Sequence, residues 1–301
     1  MSPLWALLLY LIWILIGGGL VAPWVWWGTQ ALAAAYGDAW IQGLAGHPFH
    51  RYVHRCLLAF AIMGLPWLSR ALGIRRWQEA GFCRHPGGDA VWRQWQGGVL
   101  LGLAMFVPAL ALEWAAGVRA VRWPGSGFEV LSKTLEILAG AIVVGVLEES
   151  LFRGVLFGGL QRSMGAVRAL LISSLAYAVV HFFERPAPPA AVTWVSGFEA
   201  VAQMLGGFAR WDRLVPYFGT LTGAGMLLGR LYQVSGSLWL PMGVHTGWVV
   251  ALKARGWLTH RPSATIGHHE IPLWDWLCLA GIGLVLLASL TRRTRGSGKE
   301  I

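Results

Sequence analysis

Long uncharged stretches dominate this 301-residue chain and restrict its fold more than any other feature. The first charged residue is Asp38, and residues 4–27 form one apolar run that ends in Trp24, Trp26 and Trp27. A helix needs about 20 apolar residues to cross a bilayer, and tryptophan is enriched where such helices meet water. We interpret the run as a retained first transmembrane helix, because a cleaved signal would begin with a basic segment.

The same pattern repeats along the chain. Hydrophobic residues make up 56% of the sequence and charged residues 13%, whereas a soluble domain carries about 25% charged residues. The sequence therefore predicts an all-α, polytopic bundle of transmembrane helices that uses residues 1–301 as a single integral membrane domain. About eight spans are predicted, at residues 4–27, 53–69, 97–113, 130–150, 168–183, 214–232, 237–253 and 272–290.

The charges lie between these runs and indicate how the bundle is oriented. The net charge of +10 comes from arginines in the loop at 70–93 and in the tail at 292–295 as well as in short turns. Cytoplasmic loops of membrane proteins are enriched in this way, so we predict that both termini are cytoplasmic. The same distribution argues against a nucleic acid as partner, and the bilayer itself is the expected surrounding.

Three features refine the helices. Ser126 and Glu129 have the spacing of a capping box, which predicts the start of the fourth span. Residues 191–209 are apolar and are predicted to form a re-entrant or interfacial helix. His47, His50 and His54 could form a metal site, but no acidic or cysteine ligand accompanies them. We interpret these histidines as part of a wet interfacial loop.

Two adjacent carboxylates and an arginine, Glu148, Glu149 and Arg153, lie inside the fourth apolar run. Each charge at the centre of a membrane costs roughly 2.5–3.5 kcal/mol on insertion scales, so such residues face an interior, pair or perform chemistry. Glu149 and Arg153 are one helical turn apart and are predicted to form an ion pair. Glu148 points about 100° away, which leaves it available for a reaction.

Two later spans add His181 and His245. A carboxylate and two histidines that meet inside a bundle can hold and activate one water molecule. Glu148 would be the general base, His181 would help to hold the water, and His245 would stabilise the developing oxyanion. The sequence favours this metal-free set, but Glu148, His181 and His245 could also supply the three ligands of a zinc site.

These residues carry a resemblance in three ordered motifs. They are Glu148-Glu149-x-x-x-Arg153, Tyr177-x-x-x-His181, and His245 at the end of the segment 236–245. The pattern resembles the CPBP family (CAAX protease and bacteriocin-processing, or Abi), which includes the type II CAAX prenyl endopeptidases. The motif-bearing part, residues 130–255, would be the catalytic core.

The resemblance implies an eight-helix intramembrane endopeptidase, of a class described both as metalloproteases and as glutamic-type enzymes. By position, Glu148 would be the catalytic glutamate and Arg153 the structural partner of Glu149, with His181 and His245 as the water and oxyanion residues. Two positions depart from the family pattern: Tyr177 replaces a phenylalanine, and Val249 replaces the usual asparagine or aspartate. Loss of one oxyanion donor can reduce the rate by on the order of 10²–10³.

The predicted function is hydrolysis of a peptide bond in a membrane-associated protein or peptide, in a bacterial cytoplasmic membrane. The resemblance permits prenylated proteins, peptide pheromones, bacteriocin leaders and sorting tags as substrates. The alternative is a non-catalytic membrane scaffold, an immunity protein or a proton-coupled transporter that retains the polar cluster.

Overall fold

The computed structural model describes residues 2–82, 88–123, 125–209 and 211–260. It confirms the all-α class, because the strands in this part of the chain are two short ones that pair in an antiparallel ladder, β1 (Ala120–Val121) and β2 (Thr259–His260). The helices, in chain order, are α1 (Pro3–Ala35), α2 (Ala39–Ala45), α3 (Phe49–Ala71), α4 (Gly88–Ala104), α5 (Val107–Ala115), α6 (Gly127–Glu149), α7 (Gly158–Met164), α8 (Ala166–Val180), α9 (Ser196–Met204), α10 (Trp211–Ser235) and α11 (Trp239–Leu258).

The chain divides into two compact units. The first unit comprises Met1–Arg75 and Ala178–Phe218, and the second comprises Arg76–Tyr177 and Gly219–Ile301. In the first unit, α1 packs along α3 and α9. A Cβ atom on Gly18 of α1 would lie 2.7 Å from the side chain of Leu57 on α3. Only glycine allows these two backbones to approach so closely.

The second unit is built on a similar contact between α4 and α11. A Cβ on Gly98 would lie 2.9 Å from the Cα of Gly243, and a Cβ on Gly247 would lie 3.0 Å from the Cα of Gly102. The glycines are spaced four residues apart on each helix and face each other, which is the small-residue packing common between membrane helices. This contact fixes α11, the helix that carries His245, against α4.

Four helical segments are long and apolar enough to cross a membrane. They are Pro3–Ala35, Phe49–Ala71, Asp89–Ala115 and Gly127–Met164, and Ala166–Val180 is apolar but shorter. The protein is therefore an integral membrane protein. Helices α10 and α11 have 25 and 20 residues, which is long enough to span. The predicted span at 272–290 and the basic tail lie outside the described residues, and the single domain over 1–301 stays a prediction.

Several helix boundaries differ from the sequence prediction. The span predicted at 97–113 is interrupted between Ala104 and Val107, and Pro108 lies in the first turn of α5. Helix α11 continues to Leu258, through residues predicted to begin a polar loop at Lys253. Helix α9, inside the segment 191–209 that was predicted to be re-entrant or interfacial, has 9 residues, so at 1.5 Å per residue it is about 13 Å long and too short to cross a bilayer.

Candidate functional site

The helix that carries the paired carboxylates begins at the predicted capping box. The backbone N–H of Glu129 donates to Ser126 Oγ at 3.4 Å, and the N–H of Ser126 donates to Glu129 Oε2 at 3.0 Å. Helix α6 ends at Glu149 and continues as a π-helical segment, Ser150–Phe157, before α7. Ser150 Oγ donates to the carbonyl of Val146 at 2.5 Å. Short π-helical segments inside α-helices are frequent at functional sites.

The ion pair predicted between Glu149 and Arg153 is present and buried. Arg153 Nη1 lies 2.7 Å from Glu149 Oε1, and the two side chains are 2% and 0% exposed. Arg153 Nη2 also donates to the carbonyl of Gly225 at 3.2 Å, and the guanidinium carbon lies 4.5 Å from the ring centre of Tyr177. The pair therefore ties the π-helical segment to α10 and to the end of α8.

His245 joins the same carboxylate from α11. Its Nδ1 lies 2.8 Å from Glu149 Oε1. An ionised carboxylate can only accept hydrogen bonds, so Nδ1 carries the hydrogen and donates it to Glu149. The opposite ring nitrogen, Nε2, lies 3.8 Å from Glu148 Oε2. One imidazole thus lies between the two adjacent glutamates, a link that the sequence analysis did not anticipate.

Packing holds the imidazole in this orientation. A Cβ on Gly145 of α6 would lie 2.6 Å from Thr246 Oγ1, so the absence of a side chain there lets α6 and α11 approach closely. The ring of Tyr177 lies 6.0 Å from that of His245, and the ring of Trp248 lies 6.3 Å away, centre to centre. The His245 side chain is 5% exposed, and its position is set by these neighbours.

Exposure separates the two glutamates. The side chain of Glu148 is 29% exposed, whereas that of Glu149 is fully buried. Part of the Glu148 side chain is therefore accessible, although the Oε2 atom that faces His245 is buried, while Glu149 is restricted to orienting Arg153 and His245. Val249, one turn after His245 on α11, is half-buried and offers no side-chain hydrogen-bond donor.

His181 lies directly after the last residue of α8, and its backbone N–H donates to the carbonyl of Ala178 at 3.1 Å. Its side chain is exposed. His181 belongs to the first unit, whereas Glu148, Glu149, Arg153 and His245 are brought together within the second. Participation of His181 in the reaction stays a prediction.

Zinc ligation by Glu148, His181 and His245 stays a prediction. In the second unit, Glu149 Oε1 and His245 Nδ1 are bonded to each other, whereas Glu149 Oε2 has no hydrogen-bond partner among the described residues. In the described ranges, no group of three or more His, Cys, Asp or Glu side chains is placed to hold a metal ion.

A second buried ion-pair network was missed by the sequence analysis. Glu113, 1% exposed, accepts hydrogen bonds from Nε and Nη2 of Arg255 and lies 3.5 Å from Arg119 Nε. These residues line one wall of an apolar cavity of about 550 Å³. Arg255 is far from Glu113 in sequence, so no local spacing could have paired them. The network explains why α11 extends beyond Lys253.

Comparison with known proteins gives a match over the segment that contains these residues. Residues 130–251 match the family model described as "Type II CAAX prenyl endopeptidase Rce1-like". The matched segment contains Glu148, Glu149, Arg153, His181 and His245. No curated protein matches the chain, and no solved structure matches it.

Proposed function

Because residues 130–251 form an Rce1-like, type II CAAX prenyl endopeptidase domain, as the sequence resemblance predicted, we propose that the protein is an intramembrane endopeptidase. It hydrolyses a peptide bond in a membrane-associated protein or peptide. The observation that supports this most directly is the row Glu149–His245–Glu148, in which one imidazole contacts a fully buried glutamate and faces a second, partly exposed one. The catalytic residues in the proposal are Glu148, His181 and His245.

The proposed chemistry uses both ring nitrogens of His245 as donors. Nδ1–H donates to Glu149, and Nε2–H points toward Glu148 and the space where a substrate carbonyl would lie.

Hydrolysis then needs one water molecule near Glu148. Glu148 takes a proton from the water as general base, and the water oxygen forms a bond to the carbonyl carbon. The electron pair of the carbonyl moves to its oxygen, which accepts the Nε2–H hydrogen bond of His245. The tetrahedral intermediate then releases the amine, which receives the proton from Glu148, and the other product is a carboxylic acid, which loses its remaining proton to solvent. In this scheme, His181 positions the water.

The orienting residues act through His245. Glu149 fixes the ring with Nε2 toward Glu148, as the buried carboxylate of a catalytic triad fixes its histidine. Arg153 neutralises Glu149 and anchors it to Gly225. We further propose the orientation predicted from the loop charges, with both termini on the cytoplasmic side of a bacterial cytoplasmic membrane.

The test compares two glutamates on the same helix. Purified wild-type protein in detergent should cleave members of a membrane-peptide library that includes prenylated and unmodified C termini. Glu148→Gln should reduce cleavage by on the order of 10²–10⁴-fold, the usual contribution of a general base. Glu136→Gln makes the same chemical change at a position that is 69% exposed and should leave cleavage unchanged.

Cleavage by Glu148→Gln at the wild-type rate would refute the assignment. A wild-type protein that cleaves no library member, but carries protons across liposome membranes in a Glu148-dependent manner, would instead favour the proton-coupled transporter.

A further inference from the structure

A polar cluster that takes no part in the proposed reaction lies in the first unit. Its members are histidines and arginines from the first turns of α3 and the residues just before it, and from the segment after α8. We call it the corner cluster, and it consists of His47, His50, Arg51, His54, Arg55 and Arg185.

We propose that the corner cluster binds the phosphate-bearing headgroup of an anionic membrane phospholipid. Arginine and histidine side chains donate hydrogen bonds to phosphate oxygens, and arginine does so with two parallel donors. The proposal is independent of the proposed peptidase activity, because none of the residues assigned to that reaction belongs to the corner cluster.

The members of the cluster are close together. Arg51 Nη1 lies 3.3 Å from His47 Nδ1, and the rings of His50 and His54 meet edge to face with centres 5.9 Å apart. The positive charge of Arg185 acts on both of these rings. Arg51, His54, Arg55 and Arg185 are exposed, so their donor groups are accessible.

The charge of the cluster is not neutralised by the described part of the protein. Within that part, no ion pair joins any of its members to a carboxylate. The first turn of α3 contains no acidic residue, and Pro48 at its start provides no side-chain cap. The N-terminus of this 23-residue helix carries a partial positive charge and N–H groups without intrahelical partners. Cations at this end repel the helix dipole, whereas a bound anion would stabilise it.

The surroundings indicate that the anion belongs to a lipid. The connection between α1 and α3 is fixed by hydrogen bonds from Gln30 Nε2 to the carbonyl of Ala45 at 2.8 Å and from Tyr52 Oη to that of Leu44 at 2.7 Å. The same connection carries Tyr36, 57% exposed, and Trp40, 75% exposed. Exposed tyrosine and tryptophan beside two apolar helices are typical of the headgroup level of a bilayer. Basic residues at that level bind anionic lipids.

A metal ion is the other ligand that three histidines suggest. Across the described ranges, no group of three or more His, Cys, Asp or Glu side chains is placed to hold one. Three arginines among the histidines would also repel a cation. The cluster is therefore suited to an anion.

The experiment titrates the purified full-length protein, in a neutral detergent at low salt, with short-chain phosphatidylglycerol or phosphatidylcholine and follows binding by tryptophan fluorescence. The test variant is Arg51→Gln/Arg55→Gln/Arg185→Gln. The control variant, Arg70→Gln/Arg93→Gln/Arg168→Gln, removes the same number of positive charges at exposed positions elsewhere. Inorganic phosphate at matched concentrations is the third probe.

We expect wild type and control to bind phosphatidylglycerol equally and more tightly than phosphatidylcholine. The test variant should bind phosphatidylglycerol on the order of 100-fold more weakly, since each arginine near an anionic surface raises the affinity about fivefold. If that variant does not fold, Arg185→Gln alone should weaken binding about fivefold by the same measure. Equal affinity of wild type and test variants, or binding of inorganic phosphate as tight as that of phosphatidylglycerol, would overturn the proposal.

Discussion

Removal of Arg153 tests whether the buried ion pair is what holds the candidate site together. Replacement by methionine keeps an unbranched apolar chain but removes the bond to Glu149 at 2.7 Å, the bond to the Gly225 carbonyl at 3.2 Å and the contact with the Tyr177 ring. Glu149 would remain as a fully buried carboxylate with His245 as its remaining hydrogen-bond donor in the described structure.

The expected magnitude follows from this geometry. Loss of one partner of a buried pair is destabilising by about 3–5 kcal/mol, because it leaves the other charge buried. We expect Arg153→Met to lower the free energy of unfolding by about this amount. The double variant Glu149→Gln/Arg153→Met should regain more than half of the loss, since no unpaired charge remains and the glutamine oxygen can still accept the hydrogen bond from His245.

The assay is reversible unfolding of the purified protein in mixed micelles with increasing denaturing detergent, followed by tryptophan fluorescence. Lys133→Met is the matched control on the same helix, because Lys133 pairs with Glu136 at a position where both side chains are well exposed. This control should unfold at the same concentration of denaturing detergent as the wild-type protein. A loss below about 1 kcal/mol for Arg153→Met, the range of exposed pairs, would refute the argument that burial makes this pair structurally necessary.

Two further predictions concern the neighbourhood of His245. Gly102→Leu should prevent close contact between α4 and α11, because even a Cβ at this position overlaps the carbonyl of Val244, and we expect loss of folded protein in size-exclusion chromatography. The control Gly97→Leu, at a position where nothing lies within 4 Å, should fold normally. Equal yields of the two variants would contradict the packing argument. Val249→Asn should raise the cleavage rate by about tenfold or more, because it places an amide donor one turn from His245 and such donors contribute on the order of 10²–10³ in rate. The rate is measured on the best library substrate. An unchanged rate would show that position 249 does not face the oxyanion.

Much of the local structure was accessible from the sequence. The capping box at Ser126 and Glu129 and the pair Glu149–Arg153 depend on contacts within one helical turn, so their spacing alone predicts them. The glycine spacing at 219–229 is typical of close helix packing. Gly225 and Gly229 do contact Ser174 and Leu170, but Gly219 and Gly223 face no described atom within 4 Å. The sequence shows which residues are small, but not which of them contact a neighbouring helix.

The sequence by itself determined that this chain forms apolar helices and that charges inside them must be paired or used, because a low-dielectric interior tolerates nothing else. Only the tertiary structure decided that His245 contacts Glu149 and faces Glu148, and that Glu113 pairs with Arg255. These partners lie on different helices, and their meeting depends on how closely α11 approaches α4 and α6. That approach is set by glycines such as Gly98 and Gly145, whose effect depends on the surface that each one faces.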